Sequence, residues 1–174
     1  FEGAKKVING SKDPLVVKAD GLASGKGVFI PKSKDECLQA TKTIFDGKFG
    51  ESGQLVVLEE KIEGPEVSIF ALCDGEKYVL LPSAQDHKRL NENDEGPNTG
   101  GMGSIMDDFD FLNTNDISIC EKLNTDVLMK IQEIYNIPYV GVLYGSFMKT
   151  YSGELKVIEF NCRFGDSEVF NILN

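Results

Sequence analysis

The chain has 174 residues, 41% of them apolar and 26% charged, which suits one globular unit able to bury a sizeable core. No apolar run approaches the ~20 residues of a membrane helix, and the opening residues carry no signal-peptide pattern. The formal net charge of −10 argues against general nucleic-acid binding, because an acidic surface repels a phosphate backbone, while leaving room for a local basic pocket.

Phe1, Ala4, Val7 and Ile8 have helical spacing, and Gly10 is placed to end that helix. Pro14 to Lys18 and Val28 to Ile30 read as short strands joined by the glycine-rich stretch Ala19 to Gly27. Ser33 with Glu36 forms a predicted capping box, Cys37, Ala40, Thr41 and Ile44 follow at helical spacing, and Gly47 is the predicted stop. Leu55 to Leu58 is a strand leading into the acidic stretch Glu59 to Glu66. Val67 to Leu72 and Tyr78 to Leu81 read as a hairpin around Asp74-Gly75. Residues 85–103 are polar and rich in turn formers. Ser118 with Glu121 predicts a second capping box, followed by the apolar stripe Cys120, Leu123, Val127, Ile131 and Ile134 up to Pro138. Tyr139 to Met148 and Leu155 to Phe160 read as two strands joined at Tyr151-Ser-Gly153. The mixture predicts an α/β or α+β fold. The four cysteines form no CxxC pair, so zinc and a disulfide framework are not expected.

Four segments carry the chemistry. In Lys18 to Gly27, glycines let backbone N–H groups approach phosphate oxygens and lysines add positive charge. Gly27 follows Lys26 where a P-loop needs Ser or Thr, so this is not a P-loop. Alone it reads equally as a solvated hairpin. Glu59, Glu60 and Ile62 follow a strand whose end offers backbone groups to a base edge, and Glu66 offers a carboxylate to ribose hydroxyls; alone this reads as an acidic turn. In Val157 to Asp166, strand alternation puts Glu159 and Asn161 on one side, with Ile158, Phe160 and Cys162 toward the core. A carboxylate beside an amide oxygen suits Mg²⁺ carrying ATP phosphates, and Arg163 and Asp166 follow closely. Finally, Asp86, Lys88 and Arg89 concentrate polar groups, and Asn98, Thr99 and Gly100 lie in a loop able to form an anion nest. The single histidine, His87, is assigned no role as a base.

Together the stretches VVKADGLASGKGV, VVLEEKIEGPEVS, QDHKR, GPNTGGMG and VIEFNCRFGD resemble, in order, the ATP-grasp superfamily and specifically the phosphoribosylamine–glycine ligases. The resemblance covers most of the chain from Pro14 to Glu168. It implies an α+β ATP-grasp fold of two subdomains enclosing ATP, truncated at both ends: a lid over residues 1–64 and an incomplete larger subdomain over 65–174. It implies ATP contacts by Lys18, Gly25, Lys26, Gly27, Glu59, Glu60, Ile62 and Glu66, and Mg²⁺ (or Mn²⁺) held by Glu159 and Asn161. Arg163 and Asp166 fall in the implied reacting centre, with substrate contacts at Asp86, Lys88, Arg89, Asn98, Thr99 and Gly100. The implied reaction joins glycine to 5-phosphoribosylamine through glycyl phosphate in purine biosynthesis, in the cytoplasm, with no nucleic acid or membrane partner. The resemblance permits fusion to other purine enzymes in a longer protein. The alternatives are another ATP-grasp carboxylate–amine ligase and a catalytically idle nucleotide-binding fragment. A Rossmann dehydrogenase is disfavoured because no GxGxxG opens a helix after a strand.

Overall fold

The computed structural model describes every residue except Ser24 and Gly25, and describes Asp94, Pro97 and Asn98 by backbone only. It divides into two compact units, Phe1–Ile62 and Glu63–Asn174.

In the first unit, helix α1 (Glu2–Gly10) precedes strands β1 (Leu15–Ala19) and β2 (Val28–Phe29), helix α2 (Lys34–Thr43) and strand β3 (Val56–Glu60). The strands form an antiparallel sheet in the order β2-β1-β3. Its core is Ile8, Val17, Cys37, Ala40 and Ile44. At α2, Ser33 Oγ accepts the Glu36 N–H at 3.2 Å as predicted, but the Glu36 carboxylate accepts from the Lys32 N–H at 2.8 Å, so the box is only half formed. Gly47 does turn the chain. It sits at φ 95° inside a wide turn over Ile44–Lys48, a conformation that a Cβ disfavours.

The second unit contains strands β4 (Glu66–Asp74), β5 (Tyr78–Leu80), β6 (Ala84–Asp86), β7 (Arg89–Asn91), β8 (Glu95–Asn98) and β9 (Ser104–Met106). Helix α3 (Thr114–Tyr135), strands β10 (Val140–Lys149) and β11 (Leu155–Asn161) and helix α4 (Glu168–Ile172) complete it. The main sheet runs β11-β10-β4-β6-β9 with β5 also on β4, and every pairing is antiparallel. Strands β7 and β8 make a separate ribbon in the stretch that the sequence presents only as turns.

Strand alternation gives the sheet two different faces. Val67, Ile69, Ala71, Cys73, Leu143, Phe147 and Phe160 pack against α3 through Cys120, Leu123 and Val127. On the opposite face, Phe70, Ala84 and Tyr144 pack against Phe164 and Ile172. The register steps from Ser146↔Glu159 to Phe147↔Val157, so Ile158 is the extra residue of a bulge. This corrects the expected core positions. Phe160 packs inward, Ile158 is the bulge, and Cys162 lies beyond the strand end and is exposed.

Helix α3 starts earlier than predicted. Its cap is Asn113, whose Oδ1 accepts from Asp116 N while Asp116 Oδ2 accepts from Asn113 N, both at 3.0 Å. Ser118 is already helical and donates to Thr114 O. The Asp116 carboxylate also takes two hydrogen bonds from Lys149 Nζ at 2.7 and 2.8 Å, which ties the helix start to the end of β10. Asn136, in the left-handed conformation at φ 52°, ends α3 before Pro138. Ile134 there is 67% exposed, so the predicted stripe is buried only over its first part.

Candidate functional site

In the first unit, the β1–β3 register aligns Lys18 with Val57 and Val16 with Glu59. Lys18 and Glu59 are therefore diagonal neighbours on one face, and Lys18 Nζ lies 2.6 Å from Glu59 Oε2. The predicted phosphate lysine and the predicted adenine-segment acid thus meet directly. Lys26 is exposed in a turn closed by its N–H to Ala23 O. Gly27 accepts from Ala19 N at 2.9 Å, and a Cβ on it would fall 2.7 Å from Ala23 Cβ, so the loop base needs a glycine there. Gly25 lies outside the described residues. Glu60 closes β3, and Ile62 ends the unit, half-buried.

In the second unit, the α4-facing side of the sheet gathers polar groups from four strands. The register places Glu159, Ser146, Ser68 and Ala84 side by side, and Asn161, Tyr144 and Phe70 in the next row. Asn161 Nδ2 donates to Glu159 Oε1 at 3.0 Å, so the expected metal pair does share a face. Two oxygen-bearing side chains beside ATP phosphates and water suit Mg²⁺, which prefers few protein ligands. Both donors are hard oxygens, so the residues fit the ion.

Glu66 Oε2 accepts from Lys88 Nζ at 2.9 Å, joining two residues that the sequence reading assigned separately to ribose and substrate. Burial works to lower the Lys88 pKa, but Glu66, Tyr144 and Asp86 outweigh it and raise the pKa well above the ordinary lysine value. Asp86 is pushed up to about 6, by burial first and by Glu168 second, against the opposing pull of Lys88. Its folded pKa exceeds its unfolded one, so ionising Asp86 costs stability. That cost is absent below about pH 4, grows through the interval and is complete above about pH 6. Asp86→Asn is therefore expected to raise the thermal midpoint at pH 7.5 by about 2–4 °C and to leave it unchanged near pH 4. Paired melting curves check this.

The two polar segments over residues 85–103 are laced together. Thr99 donates to Lys88 O through N–H at 2.7 Å and Oγ1 at 2.9 Å, Met102 N donates to His87 O, and His87 N donates to Gly103 O. Thr99 thus braces the loop that carries Lys88. Arg89 Nη1 donates to Gly96 O at 2.9 Å, which holds the β7–β8 ribbon. Gly100 has open space around its Cα, and the side chain of Asn98 lies outside the described residues. Arg163 Nη1 donates to Phe164 O at 2.8 Å, and Asp166 Oδ1 accepts from Ser167 N at 3.0 Å. Both residues of the expected reacting centre are turned onto local backbone.

Sequence reasoning missed Ser68, Tyr144 and Glu168. Ser68 Oγ lies 2.9 Å from Tyr144 Oη and 3.2 Å from Glu168 Oε1, and all three residues are buried. Burial raises the Tyr144 pKa, with Lys88 pulling the other way, so its hydroxyl stays a proton donor at neutral pH. The only sequence signal was a serine at an inward position of an apolar strand.

Comparison with known proteins gives a consistent picture. Residues 1–169 match the family described as phosphoribosylglycinamide synthetase, ATP-grasp (A) domain. The chain is 45% identical over 177 aligned residues to phosphoribosylamine–glycine ligase of Leptospira interrogans, covering 99% of this chain and 41% of that protein. It is 44% identical to the trifunctional purine biosynthetic protein adenosine-3 of Bos taurus, covering 99% of this chain and 17% of the bovine protein. The crystal structure of phosphoribosylamine–glycine ligase from Thermotoga maritima superposes with a TM-score of 0.80 at 35% identity, over 96% of this chain and 42% of that one. The chain thus spans less than half the length of these relatives, and its mixed helices and antiparallel sheets are those of an ATP-grasp fold. By sequence along nearly its whole length and by fold, the chain belongs to the phosphoribosylglycinamide synthetase family, within its ATP-grasp (A) domain.

Proposed function

We propose that the protein containing this chain is a carbon–nitrogen ligase that joins glycine to 5-phosphoribosylamine at the expense of ATP, giving glycinamide ribonucleotide, ADP and phosphate. The observation that carries this reading is 45% identity to a phosphoribosylamine–glycine ligase over 99% of the chain. The Glu159–Asn161 pair and the laced Gln85–Gly103 loops supply the matching chemistry.

A carboxylate is a poor acyl donor. Attack of a glycine carboxylate oxygen on the ATP γ-phosphorus breaks the bond to the β-phosphate oxygen, releases ADP and leaves glycyl phosphate. The amine of phosphoribosylamine then attacks the acyl carbon and phosphate departs. Mg²⁺ held by Glu159 and Asn161 would offset phosphate charge during the first step. Lys18 and Lys26 bind phosphate oxygens, with Gly25 and Gly27 letting the loop backbone close on them, and Arg163 stabilises charge on the transferred group. Glu59, Glu60 and Ile62 line the base, and Glu66 takes the ribose hydroxyls. Lys88, Arg89, Asn98, Thr99 and Gly100 hold the phosphoribosyl substrate, while Asp86 and Asp166 act at the glycine end. The break after Ile62 supports a lid over residues 1–64 and a larger subdomain over 65–174.

No helix among the described residues is long and apolar enough to cross a membrane. The relatives include a ligase and a trifunctional protein, which supports fusion to other purine enzymes as one arrangement of the full-length protein. The test is ADP release by the full-length protein, which should require both glycine and phosphoribosylamine. Release without either, or with an unrelated amine in place of phosphoribosylamine, would favour another carboxylate–amine ligase.

A further inference from the structure

In the first unit, a short turn after α2, residues 49–53, reaches back to the glycine-rich stretch between β1 and β2. Gly21 N donates to Ser52 O at 3.1 Å, and Ser52 Oγ donates to Leu22 O at 2.8 Å. Asp20 N adds a bond to Leu55 O at 3.2 Å. The approach is close, because a Cβ on Gly21 would fall 2.6 Å from Ser52 Cα. The turn is itself well anchored. Ser52 N donates to Phe49 O, and the Phe49 ring packs edge-on against Phe29 with centroids 6.3 Å apart. A Cβ on Gly53 would meet Ile44 O at 2.7 Å, and Ile44 belongs to the buried core of this unit. One arm of the loop is therefore tied to the core through Ser52, and Phe29, which follows the other arm, rests on the same turn.

Packing does not hold Leu22, whose side chain is 97% exposed. An exposed loop residue keeps one backbone geometry only if a hydrogen bond offsets its conformational entropy, and the Ser52 hydroxyl supplies that bond. The Leu22–Ala23 peptide is trans, so its N–H points opposite to its C=O. With the Leu22 C=O turned onto Ser52, the Ala23 N–H points away from the turn. Ala23 O accepts the Lys26 N–H at 2.9 Å, so the tether reaches the lysine of the loop. We propose that Ser52 is a positioning residue for the phosphates of ATP: its carbonyl and hydroxyl set the backbone of Gly21 to Ala23, present the Ala23 N–H as a phosphate donor and hold Lys26 in register behind it. The inference rests on the reading of Lys18 to Gly27 as the phosphate loop. Ser52 touches no substrate and acts through the loop, so its effect follows the phosphates of the ligand and is absent for the bare nucleoside.

The test uses the full-length protein and its Ser52→Ala variant, which removes one oxygen and leaves the backbone bonds of the turn in place. Equilibrium binding is measured for MgATP and for adenosine. Ser52→Ala is expected to weaken MgATP by about fivefold and to leave adenosine within about twofold of wild type, with the melting temperature moving by no more than about 2 °C. Equal weakening of both ligands would overturn the inference, because the adenine segment lies in the same unit and a general loosening reaches it too. Unchanged MgATP affinity would also overturn it. If Ser52→Ala fails to fold, Ser52→Cys, a weak donor of similar size, is read on the same ratio, with a loss of about threefold for MgATP expected and no change ending the inference. Failure of the ATP reading is separable. A wild-type protein that does not bind MgATP removes that reading, and inorganic tripolyphosphate then decides the role of Ser52. Tripolyphosphate binding that is weaker in the variant sustains it. No binding, or equal binding to both, ends it.

Discussion

Replacing Glu159 and Asn161 together by alanine is expected to lower kcat/KM for MgATP in the full-length protein by about 1,000-fold, or roughly 4 kcal/mol of transition-state stabilisation. The bulge at Ile158 shifts the phase of β11 once, and beyond it Glu159 and Asn161 stand on one face, bridged at 3.0 Å and opposite Ser146 and Tyr144. A hard dication takes oxygen donors, and Glu159 and Asn161 present a carboxylate and an amide oxygen together on this face. Glu159 is exposed, so its truncation leaves the core intact, and the melting temperature should move by no more than about 1–2 °C. Steady-state kinetics over a range of Mg²⁺ concentration checks this. A loss below tenfold would place the metal elsewhere.

The largest stability effect is expected at Gly64. Tyr151 N donates to Glu63 O at 3.2 Å and Lys149 N donates to Pro65 O at 3.0 Å, which clamps the chain on either side of Gly64 against the end of β10. A Cβ on Gly64 would lie 1.9 Å from the Lys149 carbonyl oxygen and 2.8 Å from its carbon. Both obstacles are backbone, and moving them breaks the two flanking hydrogen bonds. Gly64→Ala should cost about 3 kcal/mol or more, a fall of roughly 6–12 °C in the melting temperature. It should also weaken nucleotide binding, because Glu66 begins β4 two residues later and its bond to Lys88 depends on that register. A melting temperature within about 1 °C of wild type would show that the segment yields without cost.

Much of this was legible in the sequence. The strand reading of Leu155 to Phe160 matches β11 to within one residue, and local spacing alone put Glu159 beside Asn161. The helix of Cys37, Ala40 and Ile44 was equally plain, because a 3.6-residue stripe and a serine cap agree there. The start of α3 was misread because Ser118–Glu121 and Asn113–Asp116 both fit a capping pattern, and only the contact of Asp116 with Lys149, 33 residues away, distinguishes them. Strands β6 to β9 escaped because each has three or four residues, too few to show alternation. Glu66–Lys88 and Ser68–Glu168 join residues 22 and 100 positions apart, and an acid following Asp166 and Ser167 looks like part of a surface turn until the fold buries it. Pairing between distant residues is a property of the packed sheet, which no local pattern encodes.

The most direct test of the ligase reading follows oxygen. Glycine labelled with ¹⁸O in its carboxylate is supplied to the full-length protein with ATP and phosphoribosylamine, and the released phosphate is weighed by mass spectrometry. Transfer of one ¹⁸O into each phosphate is the predicted result, because the carboxylate oxygen that attacks the γ-phosphorus leaves with it. Phosphate without label, formed at the same rate as product, would contradict activation of glycine as an acyl phosphate.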